Sequence, residues 1–276
     1  MDSLVKFAIH TADFTDLEYR LLEMGENCSF PYQHVIIDEG QDFGQNRIEE
    51  ANILKQLEDI ILSTNHGTFY VFYDKLQIIQ KKLPAFIEES DCRLTLYKNC
   101  RNTKKIAETS FKPLQTEPKL FDSAINGTLP KIIFADRKIT IALDKAIHDI
   151  LDNGITNIQI ISCTISGRSA LQEFLTADSK YIYRKTEIAF TTCRKFKGLE
   201  ADAVILVDVD HNAICDQNKL FYVGASRARL DLFIICNLSD EECTQIIQAH
   251  GSFVKKNNPK KCFHNHFSFF SLSFLF

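Results

Sequence analysis

Short runs of β-branched and aromatic residues punctuate this chain, and most are continuously apolar rather than alternating: His34-Val-Ile-Ile37, Thr68-Phe-Tyr-Val-Phe-Tyr73, Lys131-Ile-Ile-Phe134, Ile158-Gln-Ile-Ile161, Ile188-Ala-Phe-Thr191, Ala203-Val-Ile-Leu-Val207 and Leu232-Phe-Ile-Ile235. A strand of a half-solvated sheet alternates, whereas one buried on both faces does not, so this pattern predicts parallel sheets covered on both sides. Helical periodicity lies between the runs. Residues 48–62 place Ile53, Leu54, Leu57, Ile60 and Ile61 on one face, and residues 139–151 form a second helix stopped by Asn153-Gly154. The alternation of strand and helix defines the α/β class.

Composition narrows the partners. With 45% apolar and 25% charged residues the chain reads as globular, and a net charge of -4 excludes a wholesale basic surface. Any nucleic-acid contact must come from a local cleft. The nine cysteines are odd in number and contain no Cys-x-x-Cys pair, which predicts reduced thiols and a cytoplasmic or nuclear protein. No apolar run approaches the roughly 20 residues of a membrane span. The terminal Phe267-Ser-Phe-Phe-Ser-Leu-Ser-Phe-Leu-Phe276 is too short for one and reads as a docking or aggregation-prone tail. Pro113, Pro118, Gly127 and Pro130 break the periodicity. The organisation expected is therefore a partial first domain over 1–112, a connector over 113–130, a fuller second domain over 131–245 and an aromatic tail over 246–276.

Val35-Ile-Ile-Asp-Glu-Gly-Gln-Asp42 delivers Asp38 and Glu39 at the carboxyl end of a strand, where open α/β sheets bind ligands. One carboxylate can hold the hydration shell of a hard cation while its neighbour polarises a water. Solvated acids in a turn are the plain alternative for an Asp-Glu pair alone. The longer segment resembles motif II of the UvrD/Rep type of superfamily 1 helicases, and four further segments follow in the family's order. Phe72-Tyr-Asp74-Lys-Leu-Gln77 resembles motif III. Leu96-Tyr-Lys-Asn99-Cys-Arg101-Asn-Thr103 resembles motif IV, and Thr192-Cys-Arg-Lys-Phe-Lys197-Gly198-Leu199-Glu200 resembles motif V. Leu220-Phe-Tyr222-Val-Gly224-Ala-Ser-Arg227-Ala228 resembles motif VI.

The resemblance implies two RecA-like domains, one partial and one nearly complete, with ATP between them and single-stranded DNA or RNA across both. It assigns Asp38 to Mg²⁺ and Glu39 to the base that orients the attacking water. Gln77 becomes the sensor of the γ-phosphate, and Arg101 and Arg227 the cations on that phosphate. Asp74, Gly198 and Glu200 fall at the cofactor, with Glu200 able to accept from a ribose hydroxyl. Thr192, Arg194 and Lys195 fall on the nucleic-acid backbone. Arginine suits the γ-phosphate on chemical grounds, because a planar fork of donors matches oxygens over which charge is spread.

The departures bear on activity. No Gly-x-x-x-x-Gly-Lys-Ser/Thr is present in the 276 residues, so the backbone cradle that anchors β- and γ-phosphates is missing. Tyr73 stands where motif III carries glycine, Gln80 where it carries an aromatic, Cys100 where motif IV carries tyrosine and Arg194 where motif V often carries histidine. The expectation is an amino-terminally truncated helicase with little or no ATPase of its own. The alternative is a non-catalytic, helicase-derived module for nucleic-acid binding or regulation, one version of which has its site completed by a separate P-loop chain. Cys262-x-His264-x-His266 lacks the spacing of a zinc site.

Overall fold

The computed structural model describes residues 32–40, 58–64, 66–77, 92–135, 138–165 and 167–238. The carboxy-terminal tail, the Cys262/His264/His266 group and most of the helix expected over 48–62 lie outside them. The chain divides into two compact units, Met1–Leu94 and Thr95–Phe276.

In the first unit β1 (His34–Ile37) pairs in parallel with β2 (Thr68–Val71), Ile37 opposite Val71. Two further bonds continue the ladder past the strand ends, Phe72 N–H to Ile37 O at 2.8 Å and Gly40 N–H to Phe72 O at 2.8 Å. Glycine at 40 is a packing requirement, since a Cβ there would lie 2.2 Å from Val71 Cγ1.

The second unit is built on a six-stranded sheet in the order β3-β8-β7-β4-β6-β5. Its members are β3 (Lys131–Phe134), β4 (Ile158–Ser162), β5 (Lys180–Tyr183), β6 (Thr186–Thr192), β7 (Ala201–Val209) and β8 (Ala228–Cys236). Every pairing is parallel except that of β5 with β6. The α/β class with a mostly parallel, RecA-like sheet is what the sequence predicts.

Helices cover both faces. Helix α2 (Ile139–Asp152) buries Leu143, Ala146, Ile147 and Ile150 against Ile158, Ile160, Ile205, Val207, Phe233 and Ile235. It ends where expected, with Gly154 at φ 78° donating to Leu151 O. On the other face lie α1 (Lys104–Phe111) and α4 (Asn218–Ala225), with the short α3 (His211–Cys215) before α4. The rings of Phe111 and Tyr222 meet edge to face at 5.0 Å, and a Cβ on Gly224 would lie 2.6 Å from both Leu206 Cδ1 and Cys193 Sγ. Helix α4 thus lies directly against β7 and the end of β6.

The partition into units differs from the boundary read at 113–130. Residues 95–130 belong with the second unit because α1 packs on α4 and β8, and Asn218 Nδ2 donates to Pro113 O at 3.1 Å. The prolines and Gly127 mark a strap along that unit. The carbonyls of Ile125 and Asn126 receive the first amides of α1, from Lys104 at 2.8 Å and Lys105 at 3.1 Å.

Candidate nucleotide and nucleic-acid site

In the first unit, parallel pairing carries the turns after β1 and β2 to one edge of the sheet, which brings Asp38 and Glu39 alongside Asp74 and Gln77. Asp38 is exposed, and its Oδ1 accepts from Glu39 N–H at 2.9 Å. Glu39 sits at φ 52°, a left-handed conformation uncommon for a non-glycine residue, so the chain bends at the acidic pair. Asp74 organises its own turn, Oδ1 accepting from Leu76 N–H at 2.8 Å and Oδ2 from Gln77 Nε2 at 2.9 Å. Gln77 is buried with Oε1 unpartnered. Among the described residues no three His, Cys, Asp or Glu side chains gather to enclose a metal. An exposed carboxylate still fits Mg²⁺, which keeps most of its waters and takes one or two carboxylates plus substrate phosphates.

In the second unit, the segments resembling motifs IV, V and VI converge on one locus. Asn102, 6% exposed, donates through Nδ2 to Ser226 O and Ala228 O, both at 2.8 Å. Its Oδ1 accepts from Asn99 Nδ2 at 3.0 Å, while Asn99 Oδ1 accepts from the backbone N–H of Arg101 at 2.9 Å. The two asparagines therefore clamp the Asn99-Cys-Arg-Asn turn onto the join between α4 and β8. Arg101 Nε then lies 3.4 Å from Glu200 Oε2. Gly198, two residues earlier, has φ 84° and nothing within 4 Å of where a Cβ would be, so the bend before Glu200 needs glycine and faces open space.

Arg227 sits differently from a cation held out on a helix face. It occupies the turn before β8 and is 1% exposed. Its Nε donates to Val223 O at 2.9 Å, Nη1 to Leu199 O at 3.4 Å and Nη2 to Ser226 Oγ at 3.3 Å. Thr192, read as a backbone contact for nucleic acid, is buried at the end of β6, and its Oγ1 accepts from Lys195 N–H at 3.4 Å. It shapes the loop whose exposed cation is Lys195, with Arg194 half-buried beside it.

Sequence reading assigned no role to Asn102, Asp208 or Arg229. Asp208, buried at φ 56° near the end of β7, accepts from Ser162 Oγ at 2.5 Å, Ser169 Oγ at 2.7 Å and Ala170 N–H at 3.0 Å. It ties the loop after β4 to β7, beside the loop after β6. In the same place Cys163 Sγ and Cys193 Sγ lie 3.9 Å apart. The hydrogen bond between the thiols, followed by burial, raises the Cys163 thiol well above its usual range. The available signal for Asp208 was Val-Asp-Val-Asp210 closing an apolar strand, where a lone polar residue in a buried run needs partners.

A mostly parallel sheet covered on both faces, with polar turns gathered at strand ends, defines the doubly wound α/β class, with which a RecA-like fold is consistent. Residues 187–235, which hold the segments read as motifs V and VI, match the family model of the UvrD-like helicase C-terminal domain, in line with the resemblance read from those motifs. Among solved structures it is similar to the C-terminal domain of a possible DNA helicase from Lactobacillus plantarum WCFS1, at 17% identity, covering 54% of this chain and 95% of that one with a TM-score of 0.37. It is also similar to the PRRSV helicase, at 13% identity and a TM-score of 0.38, covering 75% of this chain and 35% of that one. No curated protein sequence matches the chain. No helix of the described residues is long and apolar enough to cross a membrane.

Proposed function

We propose that the chain is the portion of a UvrD-like, ATP-dependent helicase that completes the nucleotide site and grips single-stranded nucleic acid. The observation that carries this reading is the convergence of three separate segments: Asn102 fastens the Arg101 turn to the start of β8, and Arg101 meets Glu200 at 3.4 Å. A guanidinium fixed through its own backbone is pre-organised for a transferring phosphoryl group, where an arginine finger is worth about 10³ to 10⁵ in rate. Asp38 is the carboxylate for Mg²⁺, Glu39 the group that orients water, and Gln77, held by Asp74, the sensor beside them. Lys195 and Arg194 meet the nucleic-acid backbone, which is contacted without reading sequence.

The 276 residues contain no Gly-x-x-x-x-Gly-Lys-Ser/Thr, the motif that cradles the β- and γ-phosphates. A P-loop on another stretch of polypeptide supplies it, and the chain by itself turns over ATP at background rate. The test is DNA-stimulated phosphate release from the purified chain together with the affinity of a fluorescent ATP analogue. Background release with an affinity lowered by Arg101→Ala supports the reading. Robust release from the chain alone, abolished by Glu39→Gln, contradicts the assignment of an incomplete site.

One observation favours a second reading, that of a non-catalytic helicase-derived binding module. Arg227 spends its guanidinium on Val223 O, Leu199 O and Ser226 Oγ rather than presenting it outward. Under this reading single-stranded oligonucleotides bind, while neither Arg101→Ala nor Arg227→Ala changes nucleotide affinity.

A further inference from the structure

The carboxylate of Glu200 is met by two guanidiniums, not one. Arg101 Nε approaches Oε2 at 3.4 Å, and Arg229 Nε approaches Oε1 at 3.7 Å. Asp202 Oδ1 takes Arg229 Nη1 at 3.5 Å. Strand pairing builds the arrangement: Ala201 is opposite Ala228, and Ala201 N–H donates to Arg227 O at 3.1 Å, so the acids flanking Ala201 face the cation that follows Ala228. All four side chains are between 33% and 52% exposed, so the bonds are solvent-screened and individually weak. Both arginines reach Glu200 through Nε, at the side of the guanidinium. Among the described residues Arg101 makes no other side-chain bond, which leaves both of its terminal nitrogens for a forked, bidentate contact. The open space beside Gly198 borders the same turn.

We propose that Arg101 and Arg229 form a two-arginine subsite for a phosphate-type oxyanion, and that Glu200 fills it as an internal anion until a polyphosphate displaces it. Two like charges converging on one carboxylate repel each other when that carboxylate is neutralised, and an incoming oxyanion then gains the attraction of both. Replacing an exposed, weakly held carboxylate costs the ligand little, whereas bidentate guanidinium-phosphate contacts are among the stronger charge-assisted bonds. Glu200 therefore acts as a brake on the affinity of the site, and Arg229 as a second phosphate ligand. The proposal rests on the nucleotide-site reading only for the identity of the natural ligand.

The experiment is calorimetric titration of the full chain with inorganic triphosphate at low and moderate salt. The wild type is compared with Glu200→Gln, Arg229→Gln and the double variant, and ATP is titrated in parallel. Glu200→Gln is expected to tighten triphosphate binding by about 1.5- to fivefold, the range set by one screened surface charge. Arg229→Gln is expected to weaken it, and the double variant to lose most of the gain. Unchanged or weaker binding by Glu200→Gln, no effect of Arg229→Gln, or no binding by any variant overturns the proposal. If triphosphate responds as stated while ATP binds no better than triphosphate, the subsite stands and the nucleotide reading fails. If ATP binds in an Arg101-dependent way but Glu200→Gln changes nothing, the nucleotide reading stands and the subsite fails.

Discussion

Replacing Asn102 isolates the joint on which the second unit's site depends. Its Nδ2 donates to two backbone carbonyls, Ser226 O and Ala228 O, on residues that are themselves buried. Each such bond is worth about 1 kcal/mol net, and a buried carbonyl left without a donor costs about 1 to 3 kcal/mol, so Asn102→Ala should destabilise the unit by about 2 to 4 kcal/mol. Asn102→Asp is the sharper probe. It keeps the oxygen that accepts from Asn99 Nδ2 but replaces the donor with a second oxygen facing two carbonyls, so the cost should equal or exceed that of alanine. The assay is urea denaturation followed by circular dichroism and by tyrosine fluorescence, which is clean because the chain has eight tyrosines and no tryptophan. Both variants should also weaken oxyanion binding at Arg101, since the turn bearing it is released. Aspartate tolerated as well as asparagine, or clearly better than alanine, would refute donation as the source of the joint's strength.

Other consequences follow from single contacts. Gly224→Ala places a methyl group 2.6 Å from Cys193 Sγ and Leu206 Cδ1, and overpacking of this kind should lower stability by about 1 to 3 kcal/mol in denaturant melts, with partial recovery when Cys193→Ala is added. Burial, and then the Oη–H bond to Asp144 at 2.7 Å, raise the Tyr181 phenol above its ordinary value of 10.0. Its contribution is therefore fully present below pH 10 and falls as pH rises above it, so Tyr181→Phe should flatten the alkaline limb of melting temperature against pH. Alkylation by iodoacetamide at neutral pH, mapped by mass spectrometry, should mark exposed Cys92 and Cys100 in the native chain. Cys163, buried and with its thiol raised, should react only after unfolding.

Where continuous apolar runs set the signal, the fold was legible. β1, β2, β3, β4, β6, β7 and β8 fall on runs read from the sequence, and α2 ends at the Asn153-Gly154 stop. β5 escaped because Lys180-Tyr-Ile-Tyr183 is a short antiparallel edge strand with only three apolar residues between polar neighbours, and its alternation of buried Tyr181 and Tyr183 with exposed Ile182 exists only in the fold. Charge drew the reading of the site toward Arg101 and away from its neighbour Asn102, whose importance depends on carbonyls more than 120 residues away. The burial of Arg227 was equally invisible, because it follows from three acceptors supplied by the α4 terminus and by Leu199. That Glu200 and Asp202 both face Arg229 was not legible either, because it depends on Ala201 pairing with Ala228.

The proposed grip on single-stranded nucleic acid through Arg194 and Lys195, in the loop after β6, is tested most directly by fluorescence anisotropy with a labelled single-stranded oligonucleotide over a series of salt concentrations. Lys195→Ala is predicted to weaken binding regardless of base sequence and to reduce the slope of log affinity against log salt by about 0.7, the value for one phosphate contact on a single strand. Binding and slope both unchanged in Lys195→Ala and in the Arg194→Ala, Lys195→Ala double variant would contradict it.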